Sequence, residues 1–174
     1  MPFAYYERLS ARDKATYRRS DEIVTIVLPH AEALMPFVQV VREALAQDDR
    51  SALAAAATRL TQGLLVMLDA PPVRVEVLAV RPTLRESELH GLYTNHPGRP
   101  PRIRVWMRTA RLSRVVAFRT FLRTLLHEIG HHLDYTHLKL AESFHTEGFF
   151  RRESSLFHQL VPDAKRPLQP SAPQ

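Results

Sequence analysis

The residues able to do chemistry are concentrated in Leu125-Leu126-His127-Glu128-Ile129-Gly130-His131-His132-Leu133-Asp134-Tyr135, which contains a His-Glu-x-x-His pattern. On an α-helix, residues four apart stand one above the other. His127 and His131 therefore direct two imidazoles at one point, while Glu128 lies about 100° round the axis. Two imidazoles so placed can hold Zn²⁺, and Glu128, not itself a ligand, can take a proton from a water that the ion activates. With nine His and eleven Glu in 174 residues, the bare pattern arises by chance in roughly three such sequences per hundred, so its surroundings decide. Leu122, Leu125, Leu126, Ile129 and Leu133 recur at helical spacing and give the segment an apolar face to bury. No Pro interrupts the run from Ser113 to Tyr135. Its one Gly, Gly130, costs a helix roughly 1 kcal/mol relative to Ala and so requires a packing or access reason.

A catalytic zinc ordinarily has three protein ligands and a water. The downstream candidates for the third are His132, His137, Glu142, His145, Glu147 and Glu153. His132 points about 100° away from His131. His137 stands at the spacing of the extended metzincin motif, but Asp134 occupies the position of the Gly that breaks the helix there. In Ser143-Phe144-His145-Thr146-Glu147-Gly148-Phe149-Phe150, Thr146 can cap a new helix with Phe149, Leu156, Phe157 and Leu160 on its apolar face. His145 then sits in the loop ahead of that helix, free to bend onto the metal. The alternative is a carboxylate of the following helix, Glu153 or Glu147, as in thermolysin-like enzymes. Glu153 can also simply pair with Arg151 or Arg152. Asp134, three residues after His131, is placed to orient that imidazole, and Tyr135 or His132 to face an oxyanion.

His-Glu-x-x-His followed a short loop later by His-x-x-x-Phe-aromatic at a helix start resembles the SprT-like and YgjP (WLM-type) zinc metallopeptidases, over roughly Val73 to Val161. The resemblance implies a zincin-like α+β domain and His145 as the third zinc ligand with His127 and His131. It also implies peptide-bond hydrolysis with Glu128 as general base, a peptide or protein being the substrate. The Cys zinc ribbon of some SprT-like proteins is absent, so a DNA-linked role does not carry over.

Several elements must position these groups. Glu7 to Arg19 reads as a short surface helix, and Ile23 to Leu28 as either strand or helix, with Ser20-Asp21 an N-cap signal ahead of it. His30 to Gln47 is helical, kinked or restarted by Pro36, with Phe37, Val40, Val41 and Leu45 as its buried stripe. His30 has a structural or surface role. Ser51 can cap a second helix through Ala52 to about Leu68, ended by Ala70-Pro71-Pro72. Val73 to Val80 alternates as a half-buried strand; Leu92-Tyr93-Thr94 and Ile103, Val105 and Met107 give two more. A strand beside a metal site can hold an extended peptide by edge pairing. The organisation expected is an N-terminal helical region (1–72) packed on a zincin-like core (73–161), then a disordered Pro-rich tail (162–174).

Composition narrows the chemistry. The chain has no Cys, which excludes disulfides, thiolate catalysis and Cys-held metal. No apolar run reaches the roughly 18 residues of a membrane span, and Met1 to Ser20 is polar, so a soluble cytoplasmic protein is expected. The net charge of +6 is uneven, with eight Arg and no acid from Arg99 to Arg123. That stretch is either a solvated surface or an attractant for an acidic partner or nucleic acid. The alternative function is thus a non-proteolytic zinc-binding module using this basic surface, and an intact Glu128 argues against it.

Overall fold

Residues 3–83 and 89–165 are described by a computed structural model of the chain. Among them, five helices and a three-stranded sheet make an α+β fold: α1 (Ala11–Glu22), α2 (Met35–Ala46), α3 (Arg50–Met67), β1 (Arg74–Val80), β2 (Gly91–Thr94), β3 (Arg102–Arg108), α4 (Phe118–Thr136) and α5 (Glu147–Leu160). No helix among the described residues is long and apolar enough to cross a membrane.

Capping sets most of the helix boundaries. Ser10 accepts the Asp13 N–H at 3.1 Å and starts α1. The helix then runs through Ser20-Asp21, so that pair ends a helix where a start was expected. Ile23 to Leu28 belongs to neither helix nor strand. It is held against α5 by Gln159, which takes the Leu28 N–H at 2.8 Å and donates to the Ile26 carbonyl at 2.9 Å. Asp49 caps α3 in place of Ser51, accepting the Ala52 N–H at 2.9 Å. Pro36 lies in the first turn of α2 behind a 3₁₀ turn, Ala31–Leu34, where its missing N–H costs nothing. This start puts Leu34, Val38, Val41 and Leu45 inward and leaves Phe37 and Val40, expected in the buried stripe, exposed. His30 is exposed beside Glu32.

The sheet order is β1-β3-β2, with β1 and β3 parallel and β2 antiparallel to β3. The shortest strand, β2, therefore forms an edge, and it packs on α4. Ile103, Val105 and Met107 of β3 are fully buried on the face covered by α3 and α4, which puts the helices on one side of the sheet. Ser113 has a φ of 48° and Val115 still bridges to Arg108, so α4 begins only at Phe118, five residues after Ser113. Its predicted apolar face, Leu122, Leu125, Leu126, Ile129 and Leu133, is completely buried. One hydrophobic core takes residues from α2, α3, β1, β3, α4 and α5, so the N-terminal helices share it with the elements around the motif. Pro162–Lys165, the start of the expected tail, form a 3₁₀ turn; residues 166–174 lie outside the described residues.

Candidate metal centre

Helix α4 presents His127 and His131 on one face, one turn apart, and the loop before α5 brings His145 against them. The three Nε2 atoms lie 3.0 Å (His127 to His145), 3.0 Å (His131 to His145) and 3.2 Å (His127 to His131) from one another. Among the described residues this is the one cluster whose ligand atoms could hold a metal ion. Atoms so spaced can each lie about 2.0–2.1 Å from a common point, the length of a metal–imidazole bond.

The other ring nitrogens show which way the lone pairs point. Glu153 lies 3.0 Å from His127 Nδ1 and accepts its proton. Ser143 Oγ donates to Asp134 Oδ2 at 2.8 Å, so its 2.7 Å contact with His131 Nδ1 must be one in which it accepts. Both rings therefore carry the proton on Nδ1 and leave Nε2 free to bind a metal. Burial, then the neighbouring His127 and His145, pulls His131 down to about 3; burial and His127 lower His145 as well. The Nε2 lone pairs of His127 and His131 thus converge on one point beside His145, an arrangement a cation relieves.

Each remaining candidate is accounted for by position. Glu153, the alternative ligand, sits on the Nδ1 side of His127 and pairs at 3.7 Å with Arg123, so it orients the His127 ring from outside the cluster. His137 is exposed at the end of α4. Glu147 is exposed and pairs with Arg151 at 2.5 Å. Glu142 accepts from the Tyr135 hydroxyl and the Ser143 N–H. Asp134 reaches His131 only through Ser143, because its other oxygen is held by Arg152 at 2.9 Å in a fully buried ion pair. Arg152 also donates to the Ser20 and Ile23 carbonyls and to Ser20 Oγ. It thereby satisfies the last carbonyls of α1 and ties that helix to the histidine cluster. Sequence spacing carries no signal for Ser143 or Arg152 in these roles.

His132, expected as a possible oxyanion partner, is fully buried with both nitrogens engaged. Nε2–H donates to the Pro71 carbonyl at 2.7 Å, so Nδ1 accepts the Tyr93 hydroxyl at 3.1 Å. Its job is to hold Tyr93, and hence β2, against α4. Gly130 is explained by Phe149, whose ring would lie 3.2 Å from a Cβ there and which stacks on His131 at 4.8 Å. Phe149 thus forms the floor under the imidazoles.

Glu128 lies beside the cluster, 5% exposed, between α4 and the β2 edge. Burial pushes its carboxyl up to about 7, opposed by His127 and by the Tyr93 backbone N–H that donates to it. A Cβ on Gly91 would fall 2.5 Å from Glu128 Oε1, so the bare backbone at 91 leaves room for the carboxylate. The groove around Glu128 has two connected parts. One is lined by His90, Gly91, Arg123 and Glu153, the other by Leu92, Tyr93, Tyr135 and Ser143; His127 and Glu128 face both. A strand edge, a histidine cluster that could hold a metal ion and a carboxyl poised near neutrality thus meet in one groove, the requirements for moving a proton at a polarised carbonyl.

Three arginines of the Arg99 to Arg123 run have carboxylate partners. Arg108 pairs with Asp48, Arg102 with Glu76 at 3.6 Å, and Arg123 with Glu153 while stacking at 4.1 Å on Phe157. No known family, curated protein or solved structure matches the chain.

Proposed function

We propose that the chain is a zinc-dependent metallopeptidase. The observation that carries this reading is the convergence of the three Nε2 atoms beside a buried carboxyl that is not among the ligating groups. Three imidazole nitrogens suit zinc and disfavour calcium or magnesium, which seek oxygen donors. When bound, zinc polarises the scissile carbonyl and makes water acidic enough to lose a proton near neutral pH. An extended peptide pairs with the free edge of β2, which brings one carbonyl to the groove beside Gly91. Glu128 takes the proton from the attacking water and passes it to the leaving nitrogen, so one proton crosses for each bond cleaved. A resting value of about 7 suits both halves of that transfer. Of the two groups expected at the oxyanion, only Tyr135 lines the groove, and its hydroxyl must leave Glu142 to serve there. The same arrangement supports a place among the SprT-like and YgjP (WLM-type) zincins. It favours proteolysis over the non-proteolytic module, because a binding-only site has no use for Glu128.

Purified protein is expected to hold about one equivalent of zinc and to cleave members of a random peptide library. Chelation should stop cleavage, and added zinc should restore it. A folded, zinc-loaded protein that cleaves no peptide sinks the proposal.

Gly91→Ala tests the placement of the base. The added methyl forces Glu128 away from the Tyr93 N–H without touching a ligand. Zinc content should stay level while kcat falls about a hundredfold, the usual cost of misplacing a reacting group by about 1 Å. Unchanged kcat would show that Gly91 does not set the position of Glu128.

A further inference from the structure

The edge strand β2 leads away from the metal cluster into a second cavity of about 240 Å³, lined by Arg74, Thr94, His96, Arg99, Pro100 and Arg102. Arg74 pairs with Arg102 across β1 and β3, and Arg102 with Thr94 across β3 and β2. The three stand in one row and project from the same face of the sheet, opposite to the face on which Tyr93 meets His132. Glu76 is shared between Arg74 at 3.2 Å and Arg102 at 3.6 Å. Arg99, exposed on the loop after β2, adds a third guanidinium, and no carboxylate pairs with it among the described residues. Three cations against one anion leave this cavity in want of negative charge, whereas Arg108 and Arg123 have carboxylates of their own.

We infer that this cavity is a subsite for an acidic side chain, Asp or Glu, of a peptide lying along β2; the inference rests on the peptidase reading of the metal site. A strand added to the free edge of β2 extends the row Arg74, Arg102, Thr94 by one place. Its residue opposite Thr94 stands about 5 Å from Thr94 and about 10 Å from Arg102. Thr94 is short, so a carboxylate on that residue comes within the joint reach of the Arg102 and Arg99 side chains. Guanidinium and carboxylate match in shape as well as charge, and a Lys at the same place meets like charge. Antiparallel pairing, the more stable arrangement, runs the peptide from Thr94 toward Gly91. The acidic residue therefore lies about two to three residues to the amino-terminal side of the bond that reaches Glu128.

The test uses zinc-loaded full-length protein and short fluorogenic peptides, identical except for Glu, Gln or Lys at each position preceding the cleaved bond. At low salt, kcat/KM should favour Glu over Lys by about tenfold at one of those positions and the ratio should shrink at high salt. The double variant Arg99→Glu, Arg102→Glu should abolish or invert it. Equal rates for Glu and Lys, or a preference that survives the charge reversal, overturns the inference. The same labelled Glu and Lys peptides, titrated into Glu128→Gln protein and followed by fluorescence anisotropy, read the subsite without catalysis. Tighter binding of the Glu peptide that is lost in the charge-reversed protein supports the subsite even where no peptide is cleaved; equal binding overturns it. Displacement of the Glu peptide by a single-stranded oligonucleotide at lower concentration than by unlabelled Glu peptide assigns the arginines to nucleic acid and also overturns it.

Discussion

Glu128→Gln is expected to leave zinc near one equivalent and to lower peptide hydrolysis by about 10²–10⁴-fold, the usual worth of a positioned general base. Gln keeps the size of Glu, and its carbonyl can still accept the Tyr93 N–H that Glu128 accepts, so the groove survives. What is lost is the group that receives the proton. Metal analysis and kcat on the same preparation separate this from the alternative, because a parallel loss of both would make Glu128 a ligand. The substitution has a second readout in the metal-free protein. Burial raises the Glu128 carboxyl from 4.5 to about 7, which means that the fold disfavours its charged form. Below pH 4.5 the carboxyl is neutral whether the chain is folded or not, and the wild type bears no penalty. Between 4.5 and about 7 the unfolded chain ionises first, so the penalty grows; above about 7 it is constant. Metal-free Glu128→Gln protein should therefore melt increasingly above the wild type as pH rises across that window. A gap in melting temperature that does not widen with pH would contradict the buried-carboxyl assignment.

His145→Ala should purify with little or no zinc, while His137→Ala retains it. His145 comes from an exposed loop position, and unchanged circular dichroism should show that the fold persists. The argument is geometric: His145 Nε2 lies 3.0 Å from both other Nε2 atoms, and two imidazoles alone make a weak site. Glu153→Ala is the informative control. As the acceptor of the His127 Nδ1 proton it should weaken metal binding by about 10–100-fold without abolishing it, the range seen when an outer partner of a metal ligand is removed. Competition with a chelator of known affinity ranks the three variants. Glu153→Ala losing metal more completely than His145→Ala would reverse their roles and give the site a carboxylate ligand.

Local periodicity carried a large share of this outcome. The pairing of His127 with His131, the buried face of α4 and the Thr146 cap of α5 all follow from the 3.6-residue repeat and from capping chemistry. Both act over a few residues and can be read from one sequence. β1 and β3 were equally legible from two-residue alternation and β2 as a short run after Gly91, and with them the α+β class. Where local signals competed, the reading slipped. Asp49 and Ser51 both suit a cap, and the backbone chose Asp49. Phe37 and Val40 are apolar enough to be buried, but the phase set by the start of α2 at Met35 turned them outward.

Other features belong to the tertiary structure alone. Spacing set aside His132 and His137 and favoured His145 over the carboxylates without placing it, because a loop residue reaches its partners by the path of its chain and not by a helical angle. The packing of α5 on α4 brought His145 to the cluster and left Glu153 on the far nitrogen of His127. The order β1-β3-β2, which makes β2 an edge and turns it toward Glu128, depends on crossovers that no strand's own composition encodes. The same holds for Gly91 against Glu128, and for the chain from Ser20 through Arg152, Asp134 and Ser143 to His131. Each joins residues remote in sequence whose contact exists only once the shared core has closed. The sequence determined the kinds of groups available and the helix that pairs two of them; folding decided which third group joins them, which proton each ring carries, and which strand edge faces the site.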